Sequence, residues 1–339
     1  MQKKSILYVF CFFAGYLNAQ VSDFDHIDFT KADRIALSYN KERLTNLPEL
    51  AYKLTTDLTT DVERFRALYR WVCANIANDY GLYLKNNRKR QYFKNDSLKL
   101  NAWNDKFRRR LFKKLLKKKQ TICTGYAYLV KALADLVNIE CEIVHGYGRV
   151  STTNIETLNL PNHSWNAVKL NGKWYLCDPT WASGIPNPKT KNFVFLYNDG
   201  FFLANPKLFA VNHFPIDNRW WLLEDNIPSF EEFLAAPVIY GNAYKTLELH
   251  NAPEQMHHNI KKNEKVAFNY KLKKSIKAEK VKLLLDNGDD TWRANPTSIS
   301  IDNTFLKLEH QFKRKGFYDV HLYLNGDLIS TYTVEVKAH

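Results

Sequence analysis

The chain reads TICTGYAYLVKALADL over residues 121–136 and NHSWNAVKLNGKWYLCDPTW over residues 162–181, and these two stretches decide the fold. In the first, apolar residues recur at helical spacing after Cys123, which predicts a helix that begins at or just after this cysteine. In the second, two alternating runs flank the pair Asn171-Gly172, a strong signal for a β-hairpin. The sequence therefore predicts a cysteine at a helix N-terminus, followed by two paired strands.

Three side chains in these stretches suit nucleophilic chemistry. Cys123 would meet the positive end of the helix dipole, which favours the thiolate. His163 and Asp178 would lie on neighbouring strands of the hairpin, far from its turn and near enough to pair. A carboxylate bonded to one imidazole nitrogen leaves the other free to take the thiol proton. We therefore predict a triad of Cys123, His163 and Asp178 that attacks a carbonyl carbon and forms a thioester.

The motifs around these residues resemble the transglutaminase-like superfamily of cysteine enzymes. They are Cys-x-Gly-Tyr-Ala at residues 123–127, His-x-Trp-Asn at 163–166 and Asp-Pro-Thr-Trp at 178–181. The stretches FFLANPKLF at 201–209 and HFP at 213–215 are similar to the kyphoscoliosis-peptidase branch of that superfamily. With the amphipathic helix predicted over 61–76, the resemblance covers roughly residues 25–237.

The resemblance implies an α+β, papain-like or transglutaminase-like core, in which helices pack on an antiparallel sheet. It implies a thiol hydrolase that acts on peptide or amide bonds of protein substrates, without a cofactor or a metal ion. The backbone N–H of Cys123 would be one oxyanion donor, with the side chain of Gln120 or Trp103 as candidates for the second. Candidates for the walls of the substrate cleft are Tyr126, Trp165 and Trp181.

Two other functions stay open. The thioester could pass to an amine instead of water, which would make the protein a protein-glutamine transglutaminase. The triad could also be retained for structure alone, in a binding or scaffold protein of the cell envelope. The sequence favours an enzyme, because all three polar members of the triad are present.

A chain of 339 residues is expected to form about two domains. Residues 1–19 have the pattern of a secretory signal peptide, so we expect a secreted or periplasmic protein. The catalytic domain would span 20–244. Short alternating runs over 245–339 predict a β-sandwich of immunoglobulin type. In an oxidising compartment Cys141 and Cys177 could form a disulfide, although small buried cysteines are also common in protein cores.

The net charge of +14 is concentrated between Lys85 and Lys119, where fifteen Lys or Arg residues face two acidic ones. Residues 81–100 are expected to form a surface loop, and a helix with one cationic face should follow. That face is either a solvated surface or a patch that binds an anionic glycan, phospholipid or acidic protein; nucleic acid is not expected. Its residues are Arg108, Arg109, Arg110, Lys113, Lys114, Lys117 and Lys118.

Three further features are expected to be structural. His145 lacks a carboxylate partner of the Asp178 kind, and His213 is expected to pack or to fix a loop. The acidic segment 286–290 lacks the remaining ligand positions of a calcium loop and predicts a turn.

Overall fold

The computed structural model describes residues 20–187, 190 and 192–338. The predicted signal peptide at 1–19 lies outside these residues. Within the described part of the chain, none of the helices combines the length and the apolar character needed to cross a membrane.

Ten helices occur among the described residues, six of them before residue 140. Their bounds are α1 Thr30–Ser38, α2 Leu47–Thr55, α3 Asp61–Asn75, α4 Tyr80–Tyr92, α5 Ser97–Lys118, α6 Cys123–Asp135, α7 Pro179–Ser183, α8 Pro206–Ala210, α9 Phe230–Ala235 and α10 Ala243–Thr246. The amphipathic helix predicted over 61–76 is confirmed as α3. It begins with a capping box in which Thr60 and Glu63 each bond the other's backbone N–H.

Among the described residues, nine short strands precede the last third of the chain. Their bounds are β1 Ala77–Asn78, β2 Gln120–Thr121, β3 Cys141–Gly148, β4 His163–Leu170, β5 Lys173–Cys177, β6 Gly184–Pro186, β7 Phe193–Phe195, β8 His213–Pro215 and β9 Val238–Ile239. An antiparallel sheet has the order β5-β4-β3-β8. Helix α6 packs on this sheet against β3 and β4, as the family resemblance implies.

The predicted hairpin is confirmed as β4 and β5. Asn171 and Gly172 both have positive φ, 50° and 79°, as a two-residue turn of type I′ requires. In the resulting register Asn166 faces Cys177. This register brings His163, at the start of β4, towards Asp178, which directly follows β5.

The prediction of a surface loop over 81–100 is wrong, because most of these residues lie in α4 and at the start of α5. Asp79 caps α4 by accepting a hydrogen bond from the N–H of Leu82. The two helices meet through a small apolar cluster of Leu82, Phe107, Leu111 and Ile122. A single buried leucine on α4 gives little periodic signal, which explains why its basic, Asn-rich sequence resembles a loop.

The last third of the chain consists of strands in two sheets. Their bounds are β10 Leu247–Ala252, β11 His257–Lys261, β12 Lys265–Leu272, β13 Val281–Asp286, β14 Thr291–Ala294, β15 Ser298–Asp302, β16 Phe305–Gln311, β17 Gly316–Leu324 and β18 Asp327–Lys337. One sheet has the order β10-β12-β16-β15 and the other β11-β18-β17-β13-β14. The sheets face each other, since the hydroxyl groups of Tyr270 on β12 and Tyr332 on β18 lie 2.7 Å apart.

The two parts of the chain share structure across the predicted boundary at residue 244. Strand β9 pairs with β18 in the second of these sheets, although it precedes the boundary.

The acidic segment 286–290 is a turn in which Asp286 and Asn287 accept backbone N–H bonds. Cys141 and Cys177 are buried and unpaired, so this structure contains no disulfide between them.

Candidate active site

Cys123 is the first residue of α6 and lies at the wall of a cleft of about 680 Å³. The thiol is buried, with Sγ 3.9 Å from the carbonyl oxygen of Asn162. The preceding residue, Ile122, is in extended conformation, so the chain turns into the helix at the cysteine itself. The thiol therefore lies beside the free N–H groups at the positive end of the helix.

His163 and Asp178 form a short, buried ion pair. Nε2 of His163 lies 2.6 Å from Oδ2 of Asp178, whose side chain is inaccessible to solvent. The other carboxylate oxygen, Oδ1, accepts the N–H groups of Thr180 at 2.8 Å and Trp181 at 3.1 Å, so Asp178 also caps α7. Because Nε2 is engaged by the carboxylate, Nδ1 is the ring nitrogen left for the Cys123 thiol, whose nearness is one of the causes that raise the pKa of His163.

The pair is charged at neutral pH. Burial alone would lower the pKa of His163, but the charge and hydrogen bond of Asp178, together with contact with Cys123, raise this pKa to about 10. Burial alone would raise the pKa of Asp178, but the charge and hydrogen bond of His163 hold it well below its usual range. An imidazolium therefore faces the cysteine.

A second histidine shares the carboxylate. Nε2 of His213, on β8, lies 3.1 Å from the same Oδ2 of Asp178, and its Nδ1 lies 3.2 Å from the carbonyl oxygen of Phe209. Both neighbours are acceptors, so both contacts are hydrogen bonds only when the ring is protonated. Burial opposes that charge and lowers the pKa of His213 to about 4. The neutral ring therefore donates its one N–H to the charged acceptor, Asp178, because a hydrogen bond to a carboxylate is stronger than one to a carbonyl oxygen.

Aromatic rings enclose these groups. The ring of Trp181 stacks on His163, with centroids 4.7 Å apart, and lies 4.4 Å from the ring of His213. His213 in turn stacks on Phe209 at 3.6 Å. This apolar enclosure keeps water from the His163–Asp178 pair and strengthens its electrostatic attraction.

Three atoms of kinds that can bind a metal ion lie within 4.8 Å of one another, one each from His163, Asp178 and His213. The two nitrogen–oxygen distances, 2.6 and 3.1 Å, are hydrogen-bond lengths. The cluster is therefore accounted for as a carboxylate that accepts hydrogen bonds from two imidazole rings.

A family model described as the transglutaminase-like superfamily matches residues 48–179, a range that includes Cys123, His163 and Asp178. The chain contains a transglutaminase-like domain. Human kyphoscoliosis peptidase is 35% identical over 182 residues, which are 53% of this chain and 25% of that protein. Hillarin of Drosophila melanogaster is 26% identical over 231 residues, 63% of this chain and 25% of hillarin. The chain thus spans about a quarter of the length of these relatives.

Solved structures give weaker similarity. One titled "Crystal structure of a TGase" aligns with 47% of this chain and 36% of its own chain at 14% identity, with a TM-score of 0.26.

In the transglutaminase-like domain, the predicted oxyanion side chains do not line the cleft. Gln120 lies in β2, which pairs with β1. Trp103, on α5, donates its indole N–H to Asn86 at 3.0 Å and stacks on Phe107. Of the three predicted oxyanion donors, the backbone N–H of Cys123 is therefore the one that lies beside the thiol.

The expected cleft walls need correction. Tyr126 and Trp165 are fully buried in the main core and do not reach the cleft, because α6 turns Tyr126 towards α3 and β4 turns Trp165 under the histidines. Trp181 is half-buried and covers His163. The aromatic residues that do line the cleft come from α4, α5 and α6: Tyr83, Phe107, Phe112 and Tyr128.

The cleft lies between the domain core and the pair α4–α5. The remaining side chains around Cys123 and His163 are mainly polar. His145, predicted to be structural, also lines it and bonds the Ser164 hydroxyl at 3.0 Å instead of a carboxylate. Burial and the charge of Arg90 lower the pKa of His145. The polar lining residues from α4, α5 and the segment before β4 are Asn86, Asn87, Arg90, Asn104, Asp105, Arg108 and Asn162.

Replacing His213 tests how the carboxylate is held. His213→Phe removes one donor from buried Asp178, and we expect the free energy of unfolding to fall by about 1–3 kcal/mol at neutral pH, measured by urea denaturation. His213→Gln keeps an N–H donor and should lose less. Equal losses in the two variants would show that the donor is not what stabilises the site.

The pH dependence gives a second measure of the same change. The unfolded state binds a proton at His213 near the ordinary histidine pKa of 6.5, whereas in the folded state the pKa of this ring is about 4. The stability contributed by the neutral ring is therefore lost as pH falls from 6.5 towards 4. Both variants should show a smaller decline in stability over this range than the parent protein.

Proposed function

We propose that this protein is an exported thiol enzyme that hydrolyses peptide or amide bonds with Cys123, His163 and Asp178. The observation that carries the proposal is the 2.6 Å bond between His163 Nε2 and buried Asp178, which leaves the other ring nitrogen free to take the proton of the thiol at the start of α6. The name of the related kyphoscoliosis peptidase supports hydrolysis over transfer.

In the mechanism, the Cys123 proton resides on His163 Nδ1 and the thiolate attacks the carbonyl carbon of the substrate. The carbonyl oxygen gains negative charge, which the N–H of Cys123 stabilises. As the C–N bond breaks, His163 gives its proton to the departing amine and a thioester remains. His163 then takes a proton from water, the hydroxide oxygen bonds to the acyl carbon, and the acid leaves as the thiolate is restored. Asp178 keeps the ring oriented and stabilises its charged form throughout.

Alkylation by iodoacetamide tests the nucleophile. At about pH 5.5 an ordinary thiol is almost fully protonated, whereas a thiolate beside the imidazolium of His163 should react at least roughly tenfold faster than a free thiol. His163→Ala should remove that advantage. Peptide mass spectrometry assigns the label, and burial raises the pKa of the other thiols, to about 12 for Cys73.

Two results would count against an enzyme. One is an ordinary alkylation rate at Cys123, and the other is a rate unchanged by His163→Ala. Either outcome favours the non-catalytic binding or scaffold function. Cys141→Ser is the matched control, since it removes a buried thiol away from the cleft.

The acceptor of the acyl group distinguishes hydrolase from transglutaminase. With casein and a fluorescent primary amine, a hydrolase should release new amino termini or ammonia and leave casein unlabelled. A transglutaminase would instead attach the amine to glutamine residues. We expect hydrolysis to dominate, and Cys123→Ala should abolish whichever product forms. Amine incorporation as the main product would make the transglutaminase alternative the correct one.

We also propose that the cationic face of α5 attracts anionic surfaces. Arg109, Arg110 and Lys113 are exposed and form no salt bridge with any Asp or Glu in the described part of the chain. Arg108, in contrast, pairs with Asp105, and Lys114 pairs with Asp79. Such a face attracts anionic surfaces electrostatically, and dissolved salt weakens this attraction by screening the charges.

A vesicle assay tests this face. Changing Arg109, Arg110 and Lys113 to Gln should weaken sedimentation with vesicles of anionic phospholipid by roughly tenfold at low salt. Changing the exposed Lys262, Lys274 and Lys277 to Gln removes the same charge elsewhere and should have little effect. If both triple variants bind equally, total charge and not the α5 face governs adsorption.

Export through cleavage after residue 19 and the immunoglobulin type of the C-terminal sandwich also belong to the proposal. The pattern of residues 1–19 supports the first, and two facing sheets of short strands support the second. N-terminal sequencing of the secreted protein should begin at Gln20 if the signal is cleaved there.

A further inference from the structure

The cleft beside Cys123 contains a cation with no acidic partner among the described residues. Arg90 lies in the last turn of α4 and lines the same cleft as Cys123 and His163. Its Nη1 donates a hydrogen bond to the carbonyl oxygen of Pro161 at 2.6 Å. None of the described Asp and Glu residues forms an ion pair with it, whereas Arg108, the other arginine of the lining, pairs with Asp105 at 2.9 Å.

This arrangement leaves most of the guanidinium available. An arginine has five N–H donors in a planar fork, and Pro161 accepts from one of them. Half-burial of the charged group lowers the pKa of Arg90, which remains a cation at neutral pH. A partly desolvated cation without a paired Asp or Glu among the described residues is a favourable place for an anion, and the guanidinium fork fits a carboxylate.

The position of Arg90 places such an anion next to the reacting bond. Pro161 directly precedes Asn162, whose carbonyl oxygen lies 3.9 Å from the Cys123 sulfur, and His163 follows. Since adjacent Cα atoms are about 3.8 Å apart, a group held by Arg90 would lie within one or two residues of the attacked carbonyl. The aromatic rings of Phe107, Phe112 and Tyr128 offer apolar surface for the rest of the substrate.

We infer that Arg90 selects substrates with a carboxylate within one or two residues of the bond that Cys123 attacks. The inference rests on the proposed function for the position of that bond. The carboxylate can come from an Asp or Glu side chain or from the C-terminus of a peptide. An acidic peptide would also be drawn towards the cleft by the cationic face of α5.

Binding to an inactive variant tests the inference without turnover. Fluorescein-labelled peptide libraries, identical except for Glu or Gln on either side of a central residue, are titrated into Cys123→Ala and followed by polarisation. The Glu library should bind roughly tenfold more tightly, and added salt should reduce the difference. Libraries with free and amidated C-termini are compared in the same way to identify the source of the carboxylate.

Two arginine variants in the Cys123→Ala background separate Arg90 from general charge. Arg90→Gln keeps an N–H donor for Pro161 but loses the cation, so preference for the carboxylate should disappear while binding of the Gln library changes little. Arg88→Gln removes an exposed charge from the same helix and should retain the preference. Equal binding of acidic and amide libraries, or the same preference in both variants, would overturn the inference.

One rival role for Arg90 makes a different prediction. If its charge served the Cys123 thiolate, Arg90→Gln in the otherwise unchanged protein would slow iodoacetamide alkylation as His163→Ala does. We expect the alkylation rate to stay within about twofold, because the imidazolium of His163 already faces the sulfur. If Cys123 proved to be an ordinary thiol but the carboxylate preference remained, the proposed enzyme function would fail and Arg90 would still mark a binding site for acidic peptides.

Discussion

The site depends on one buried carboxylate. Asp178 is inaccessible to solvent, and a charge in such a place is tolerated only when donors surround it. Four donors do so: the N–H groups of Thr180 and Trp181 on one oxygen, and the rings of His163 and His213 on the other. Because these donors come from α7, β4 and β8, the carboxylate stabilises the packing of three elements as well as the orientation of His163.

This dual role explains which parts of the site could be predicted from the sequence. Cys123, His163 and Asp178 carry local signals: a helix start, the first residue of a strand and the end of its hairpin partner. The Asn171-Gly172 turn fixes the register, so the closeness of His163 to Asp178 follows from local sequence alone. For His213 the sequence predicts only a packing or loop-fixing role, since its contact with Asp178 depends on β8 pairing with β3, a long-range event without a local pattern.

The predictions that the structure corrects also depended on packing contacts that leave no clear local pattern in the sequence. Tyr126 and Trp165 lie close to the predicted triad in sequence, but both side chains are buried in the core, where Tyr126 donates to the carbonyl oxygen of Ile76 and Trp165 packs against His213. The sequence of α4 predicts a loop because only Leu82 is buried along it. In the last third, the short alternating runs predict a β-sandwich, but β10, β11 and β14 lie at sheet edges, where burial imposes less pattern on the sequence.

Helix α4, which the sequence predicts as a loop, and helix α5, which it predicts as a helix with a cationic face, together give the cleft its character. Helices α4 and α5 carry most of the surplus positive charge of the chain and also form the wall opposite Cys123 and His163. Their outer faces are exposed to solvent, where each charge is screened, but Arg90 is turned inward, where screening is weaker and an unpaired cation attracts an anion more strongly. The triad determines what chemistry is available to this cleft, and the wall supplied by α4 and α5 determines which molecules reach it. Changes in that wall would therefore alter substrate choice while leaving the His163–Asp178 pair and the thiol in place.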